Sequence, residues 1–123
     1  MNKGYSPKKL DLNEIERVPM QPVSVDDQGF LLDLNDWNEP LAENIAHSEG
    51  ITLTADHWDV IFLLRAFYQD YDISPAMRIL VKQTKLKLGE DKGNSHYLLS
   101  LFPGSPAKIA SKIAGLPKPI NCL

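Results

Sequence analysis

The chain has 123 residues, 43% of them hydrophobic, and a formal net charge of −3, a size that suits one domain with one core. The longest apolar stretch, residues 60–64, is too short to cross a bilayer, and the first residues lack the apolar run of a secretory signal. The single cysteine, Cys122, excludes an internal disulfide and fits a reducing compartment, so we expect a cytoplasmic protein.

Charge is unevenly distributed along the chain. Residues 1–72 hold 5 basic and 14 acidic side chains, whereas residues 73–123 hold 8 basic and 2 acidic ones. This asymmetry is consistent with a positive surface that meets an acidic protein or a nucleic acid. It is equally consistent with two halves that neutralise each other within the fold, and the sequence leaves both interpretations open.

The first predicted structured element is a short β-hairpin that follows a loosely ordered extension over residues 1–22. Val23 and Val25 alternate with a polar residue, residues 26–29 supply turn chemistry, and residues 30–32 are apolar again. This pattern is typical of two short strands joined by a tight turn.

Two helices are predicted next. Asp36 is the predicted cap of a helix that runs to about Glu49 and ends at Gly50. Thr54 is the predicted cap of the segment ADHWDVIFLLRAFYQDY. The apolar side chains of that segment predict the central core helix; they are Trp58, Ile61, Phe62, Leu64 and Phe67.

A third helix is predicted to begin at Ser74 and Pro75, as a cap followed by proline at the first helical position, and to stop at Gly89. Its predicted inward positions are Met77, Leu80, Val81 and Leu88. Its basic residues recur at steps of three and four and form a basic stripe, which is either a solvated face or a docking surface for a partner; they are Arg78, Lys82 and Lys85.

Two short helices complete the prediction. KGNSHYLLSLF follows a glycine-containing turn, and AKIASKIA begins after Ser105 and Pro106 and is closed by Gly115. The predicted fold is therefore mainly α (α+β), an orthogonal bundle of about five helices with a small N-terminal β-hairpin. We predict a helical domain over residues 23–115 and a flexible arm over residues 116–123.

The predicted arm carries the thiol. Pro117 and Pro119 lack a backbone donor and restrict the residues before them, so the arm cannot continue the last helix. At about 3.1 Å per residue, an extended segment from Leu116 to Cys122 spans roughly 20 Å. We expect Leu116, Pro117, Lys118 and Pro119 to shape an arm that takes the sulfur into a partner's pocket.

The reactivity of Cys122 is expected to come from that pocket. An ordinary thiol is only a few per cent ionised at neutral pH, and the sequence shows no nucleophile and base pair. A free-standing enzyme would carry the base in the same chain. We therefore interpret the protein as a carrier of the sulfurtransferase type rather than as an independent catalyst.

Four segments, ITLTADHWDVIFLLRAFY, SPAMRILVK, KGNSHYLLSLFP and KIAGLPKPINCL, resemble the TusE/DsrC family of sulfur-relay proteins, in which DsrC is also called the gamma subunit of dissimilatory sulfite reductase. The resemblance covers residues 23–123 and implies that Cys122 accepts sulfur as a persulfide. In the TusE branch, sulfur comes from a donor complex of the TusBCD type and passes to a tRNA thiolase that makes 2-thiouridine at the wobble position. In the DsrC branch, the arm enters sulfite reductase, and a second cysteine of the same chain, eleven residues upstream, forms a disulfide with the penultimate one.

This sequence has Ser111 at that upstream position. A hydroxyl does not exchange with sulfur, so it cannot resolve a persulfide as a disulfide. The resemblance therefore implies a single-cysteine, TusE-like carrier, and we expect it to use no cofactor.

The same residues bear on three other functions. His47, His57 and His96 show no metal-ligand spacing, so we predict no metal site. The basic third helix after a short turn resembles the second helix of a helix-turn-helix, which leaves a nucleic-acid-binding module open. A DsrC-like partner of sulfite reductase or of another sulfur-oxidation system is the other alternative. Nucleic-acid binding would survive Cys122→Ser, whereas sulfur transfer would not.

Overall fold

The computed structural model describes residues 23–120, so the N-terminal extension and Cys122 lie outside the described part. Within that part the chain is mainly helical, as predicted, and no helix is long and apolar enough to cross a membrane. The predicted domain boundaries stay predictions. The elements in order are a 3-10 helix, Leu34–Asp36, and five α-helices, here α1 Glu39–Ser48, α2 Ala55–Tyr71, α3 Met77–Leu88, α4 Ser95–Leu101 and α5 Pro106–Ile113.

The predicted β-hairpin is not confirmed, because residues 23–120 contain no strand. One isolated antiparallel bridge joins Val25 and Leu31. The Asp26 carboxylate accepts hydrogen bonds from the backbone N–H groups of Gln28, at 2.8 Å, and Phe30, at 2.9 Å. The bond from Phe30 is the main reason that the pKa of Asp26 lies below its ordinary value. The turn chemistry is therefore present, but Phe30 and Leu31 are buried and anchor a turn rather than a ladder of paired strands.

The first α-helix begins later than predicted. Asp36 ends the 3-10 helix, and Asn38 caps α1, with its side-chain oxygen accepting from the Leu41 N–H at 2.8 Å. Pro40 lies in the first turn of α1, where its missing N–H leaves no bond unmade. Asp36 and Asn38 are both of a residue type that caps helices, and Pro40 in the first turn favours Asn38.

The central helix α2 is capped by Thr54 as predicted. It packs against α3 and α5, and its buried apolar side chains are Val60, Ile61, Leu63, Leu64 and Phe67. Phe62, predicted to face the core, is 47% exposed. The apolar surface of α2 is thus wider than the core that it covers, and Phe62 lies on its outer edge.

The predicted cap of the third helix is wrong. Helix α3 begins at Met77, its N-cap is Ala76, and no side chain caps it. The Ser74 hydroxyl instead donates to the carbonyl oxygen of Pro117 at 2.5 Å. Ser74 does not cap the helix because its hydroxyl is hydrogen-bonded to the C-terminal segment. Of the predicted inward positions, Leu80 is fully buried, and Met77, Val81 and Leu88 are partly buried against the core.

His57 joins the start of α2 to the end of α4. Its Nδ1 lies 3.0 Å from the backbone N of Thr54 and 2.8 Å from the Thr54 hydroxyl. Its Nε2 lies 2.8 Å from the carbonyl oxygen of Leu101, which can only accept, so Nε2 carries the proton and Nδ1 is the acceptor. The ring also meets Phe102 edge-on at 5.1 Å. His57 therefore has a structural role in this fold.

We expect His57→Ala to lower the free energy of unfolding by about 2–4 kcal/mol, because it removes buried hydrogen bonds and leaves a cavity beside Phe102. Urea unfolding followed by circular dichroism measures the change. The matched control is His96→Ala, since His96 is exposed on α4 and its removal should cost less than about 0.5 kcal/mol. Equal costs for the two variants would contradict the structural role of His57.

Candidate functional site

The candidate site is the arm root, the segment from the end of α5 to Ile120 together with the side chains that hold it. The chain leaves α5 through two hydrogen bonds that form a Schellman motif. The Gly115 N–H donates to the Lys112 carbonyl at 3.1 Å, and the Leu116 N–H donates to the Ser111 carbonyl at 2.9 Å. Gly115 has a φ of 75°, in the region that favours glycine. This geometry ends α5 and fixes the direction in which the arm departs.

Trp37 and Arg65 fix the end of α5 from outside. The Trp37 Nε1–H donates to the Ile113 carbonyl at 2.8 Å, and Arg65 Nη1 donates to the Ala114 carbonyl at 2.6 Å. The guanidinium of Arg65 lies 3.8 Å above the Trp37 ring. Burial lowers the pKa of Arg65 below its ordinary value. The guanidinium of Arg65 also faces the negative end of the α5 dipole, and this interaction stabilises its positive charge against the effect of burial.

The four predicted arm residues differ in burial. Leu116 and Pro119 are buried against the domain, whereas Pro117 and Lys118 are exposed. The hydrogen bond from Ser74 to the Pro117 carbonyl holds the segment in its middle. The structure thus describes a packed arm root, and the predicted mobility of residues 116–123 stays a prediction.

Cys122 lies outside the described residues, but covalent geometry limits its position. It follows Ile120 by two residues, so its Cα cannot be farther than about 7 Å from that of Ile120. Ile120 is 71% exposed. Any molecule that contacts Cys122 must therefore approach this part of the surface whenever the arm root is packed as described.

The predicted partner-binding residues share one exposed side of α3. Arg78, Lys82 and Lys85 are all exposed, and Lys85 makes a long, solvent-accessible ion pair with Glu90 at 3.7 Å. Such a pair contributes little to stability. The three cations are therefore available to a partner, and their docking role stays a prediction.

Ser111, at the position of the second cysteine in the DsrC branch, is fully buried. Its hydroxyl has no hydrogen-bond partner within residues 23–120. A buried hydroxyl without a partner costs stability, and it supplies no sulfur chemistry. The structure thus places the upstream position next to the arm root, where its backbone carbonyl binds Leu116.

Three residues of the arm root carry no functional prediction from the sequence: Trp37, Arg65 and Ser74. The first two bind backbone carbonyls that lie 76 and 49 residues away in the sequence, so no local pattern could have identified them. Ser74 carries a signal, but it is the signal of a helix cap. In the described part of the chain, no group of three or more His, Cys, Asp or Glu side chains is placed to hold a metal ion.

Similarity to known proteins includes this segment. A family model of DsrC-like proteins matches residues 17–123. The chain is 58% identical to sulfurtransferase TusE of Sodalis glossinidius over 101 residues, which are 82% of this chain and 94% of that protein. It is 52% identical to sulfurtransferase TusE of Escherichia coli, covering 82% of this chain and 93% of that one. The NMR structure of Allochromatium vinosum DsrC superposes with a TM-score of 0.78 at 48% identity, covering 86% of this chain and 95% of that one.

Proposed function

The chain belongs to the DsrC-like protein family, and we propose that it is a sulfur carrier that accepts sulfane sulfur as a persulfide on Cys122 and delivers it to an acceptor enzyme. The acceptor is the tRNA thiolase of the wobble 2-thiouridine relay, and the donor is a complex of the TusBCD type. The observation that carries the proposal is a single thiol, two residues beyond Ile120, in a chain 52–58% identical to proteins named sulfurtransferase TusE. We place the relay in the cytoplasm.

The chemistry requires no oxidant. The Cys122 thiolate attacks the outer sulfur of a donor persulfide, a new S–S bond forms on Cys122, and the donor cysteine leaves as a thiolate. In the second exchange, the thiolate of the acceptor cysteine attacks the outer sulfur of the Cys122 persulfide. A new S–S bond forms on the acceptor, and Cys122 leaves as a thiolate. No external electron is needed, because one S–S bond replaces another.

The partner supplies what this chain lacks. An ordinary thiol is only a few per cent ionised at neutral pH, and a donor or acceptor pocket with a base or a cation would favour the thiolate. The arm then needs only to present the sulfur, and Pro117 and Pro119 reduce the conformational entropy that an arm loses on entering a pocket.

A DsrC-like partnership with sulfite reductase is the second candidate, because the structural similarity to Allochromatium vinosum DsrC is extensive. Ser111 is inconsistent with the two-cysteine form of that partnership, because a serine cannot form a disulfide with Cys122. A nucleic-acid-binding module is not favoured by any contact of the described residues.

The test is complementation in bacterial cells that lack their own carrier. Wobble 2-thiouridine in purified tRNA is measured by mass spectrometry after nucleoside digestion. We expect this chain to restore the modified nucleoside. If the protein accumulates in the cells and the nucleoside stays absent, the sulfur goes to another acceptor and the tRNA assignment is wrong.

The basic stripe of α3 gives a separate prediction. We expect Lys82→Glu to weaken binding to the thiolase by about threefold to tenfold at low salt, and by less at high salt, because exposed charges are screened. Affinity is measured at two salt concentrations in the Cys122→Ser background, which prevents covalent trapping.

The matched control is Lys87→Glu. Lys87 is another exposed lysine on α3, but it lines the groove between α2 and α3 rather than the stripe. A loss of affinity that is the same for both variants would assign the effect to net charge and contradict a docking role for the stripe.

A further inference from the structure

A cleft of about 250 Å³ lies beside the arm root, between the α2–α3 connection and the arm. Three exposed isoleucines from three different segments line it; they are Ile73, 48% exposed, Ile79, 40%, and Ile120, 71%. Contiguous apolar surface of this kind on a small protein marks an interaction site more often than isolated exposed residues do. The cleft is not used by any step of the sulfur exchange described above.

The arm root is what forms one wall of this cleft. Pro117, Lys118 and Ile120 contribute to the lining, and the Ser74 hydrogen bond holds Pro117 in place at 2.5 Å. Ser74 itself also lines the cleft. The Ser74 hydroxyl therefore fastens the segment that forms one wall of the cleft.

The position of the thiol connects the cleft to the exchange. Cys122 is tied to Ile120 within about 7 Å between Cα atoms, and Ile120 is part of the cleft. If every contact beyond Pro117 were released, the five residues from Lys118 to Cys122 would span at most about 18 Å, at up to about 3.6 Å per residue. A partner that reaches the sulfur therefore comes close to the residues that line the cleft.

The charges around the cleft describe the partner's surface. Lys118 lines it, Arg78 precedes Ile79 on the exposed side of α3, and Asp72 is the one carboxylate among the lining residues that the structure describes. A complementary surface carries an apolar side chain flanked by carboxylates. Aliphatic walls offer no stacking platform for bases, so the cleft favours a protein over a nucleic acid.

We propose that this cleft is the docking pocket for the tRNA thiolase that receives sulfur from Cys122, and that the thiolase inserts an apolar side chain from an acidic surface between Ile73, Ile79 and Ile120. The proposal rests on the sulfur-carrier function proposed above and adds the contact that selects the partner. The cleft then acts together with the arm: it brings the partner's reacting cysteine to the single thiol of the chain.

The experiment compares Ile79→Glu with Leu99→Glu. Leu99 is the matched control, because it is 41% exposed on α4 and does not line the cleft. Three quantities are measured for each variant: loading of Cys122 by inorganic polysulfide, transfer of that sulfur to purified tRNA thiolase, and affinity for the thiolase in the Cys122→Ser background. Ile73→Glu is a second cleft variant, on the connection between α2 and α3, and Ile73 is 48% exposed.

We expect both cleft variants to load with polysulfide as the wild type does. Their affinity for the thiolase should fall at least tenfold. At low carrier concentration, the rate of sulfur transfer should fall by the same factor. Leu99→Glu should stay within twofold of the wild type in all three measurements. Wild-type affinity in both cleft variants, or an equal loss in Leu99→Glu, would overturn the proposal.

Failure of the carrier function has a different signature. The wild type would then take up sulfur from polysulfide but neither bind the thiolase nor pass sulfur to it, and the docking pocket would fall with the function. A wild type that transfers sulfur, beside cleft variants that transfer equally well, would contradict the docking pocket alone.

Discussion

The rate of sulfur transfer to the thiolase is expected to fall at least about a thousandfold in Cys122→Ser, a loss typical of removing the nucleophile of a reaction. A serine hydroxyl neither attacks a persulfide nor holds the transferred sulfur as an S–S bond. The protein has no other cysteine that could take over. The rate is measured with radiolabelled sulfur in a mixture of donor, carrier and thiolase.

The control for this variant is Ser111→Ala. Ser111 is fully buried and its hydroxyl has no partner in the described part of the chain, so its loss should leave transfer unchanged. Transfer that survives in Cys122→Ser would show that the carrier works without its thiol. Transfer that disappears in Ser111→Ala would show that the upstream position takes part after all.

Gly115→Ala is expected to destabilise the protein by about 3–5 kcal/mol, in the range of mutations that break a specific structural feature. Gly115 has a φ of 75°, and a Cβ there would overlap the Trp37 indole ring. Trp37 would have to move, and it would give up its hydrogen bond to Ile113 and its contact with Arg65. Unfolding in urea measures the total cost.

Gly50→Ala separates the two parts of that cost. Gly50 has nearly the same φ, 76°, but a Cβ added there would have no atom within 4 Å apart from those of its chain neighbours. It should lose only the backbone strain, about 1–2 kcal/mol. If both variants lost the same amount, the contact with Trp37 would not be the reason for glycine at position 115.

The helix boundaries were predictable where one local signal acted alone. Gly89 and Gly115 end α3 and α5 through positive φ angles, and Ser105 with Pro106 begins α5. The predictions failed where the same residue type served a longer-range contact. Ser74 reads as a cap in the sequence, yet its hydroxyl binds Pro117, 43 residues away. Asp36 is one of two plausible caps before α1; it ends the 3-10 helix, and Pro40 in the first turn favours Asn38 as the cap.

The sequence carries a prediction of the chemistry of the site but not of the residues that hold the arm root in place. Cys122 and the arm prolines stand out in the terminal sequence, because a lone thiol beyond two prolines is an unusual combination. Trp37 and Arg65 do not stand out, because their roles depend on where α5 ends in space. The exposed isoleucines of the cleft could not be predicted either, because a sequence shows that a residue is apolar but not that its side chain is exposed in the fold.

Intact-mass measurement of the carrier after incubation with its donor complex tests the central claim most directly. The account predicts a gain of about 32 Da per protein, one sulfur atom, which maps to the C-terminal peptide and disappears on reduction with a thiol. An unchanged mass with a donor complex that is active toward another acceptor would contradict it, and so would a gain that persists in Cys122→Ser.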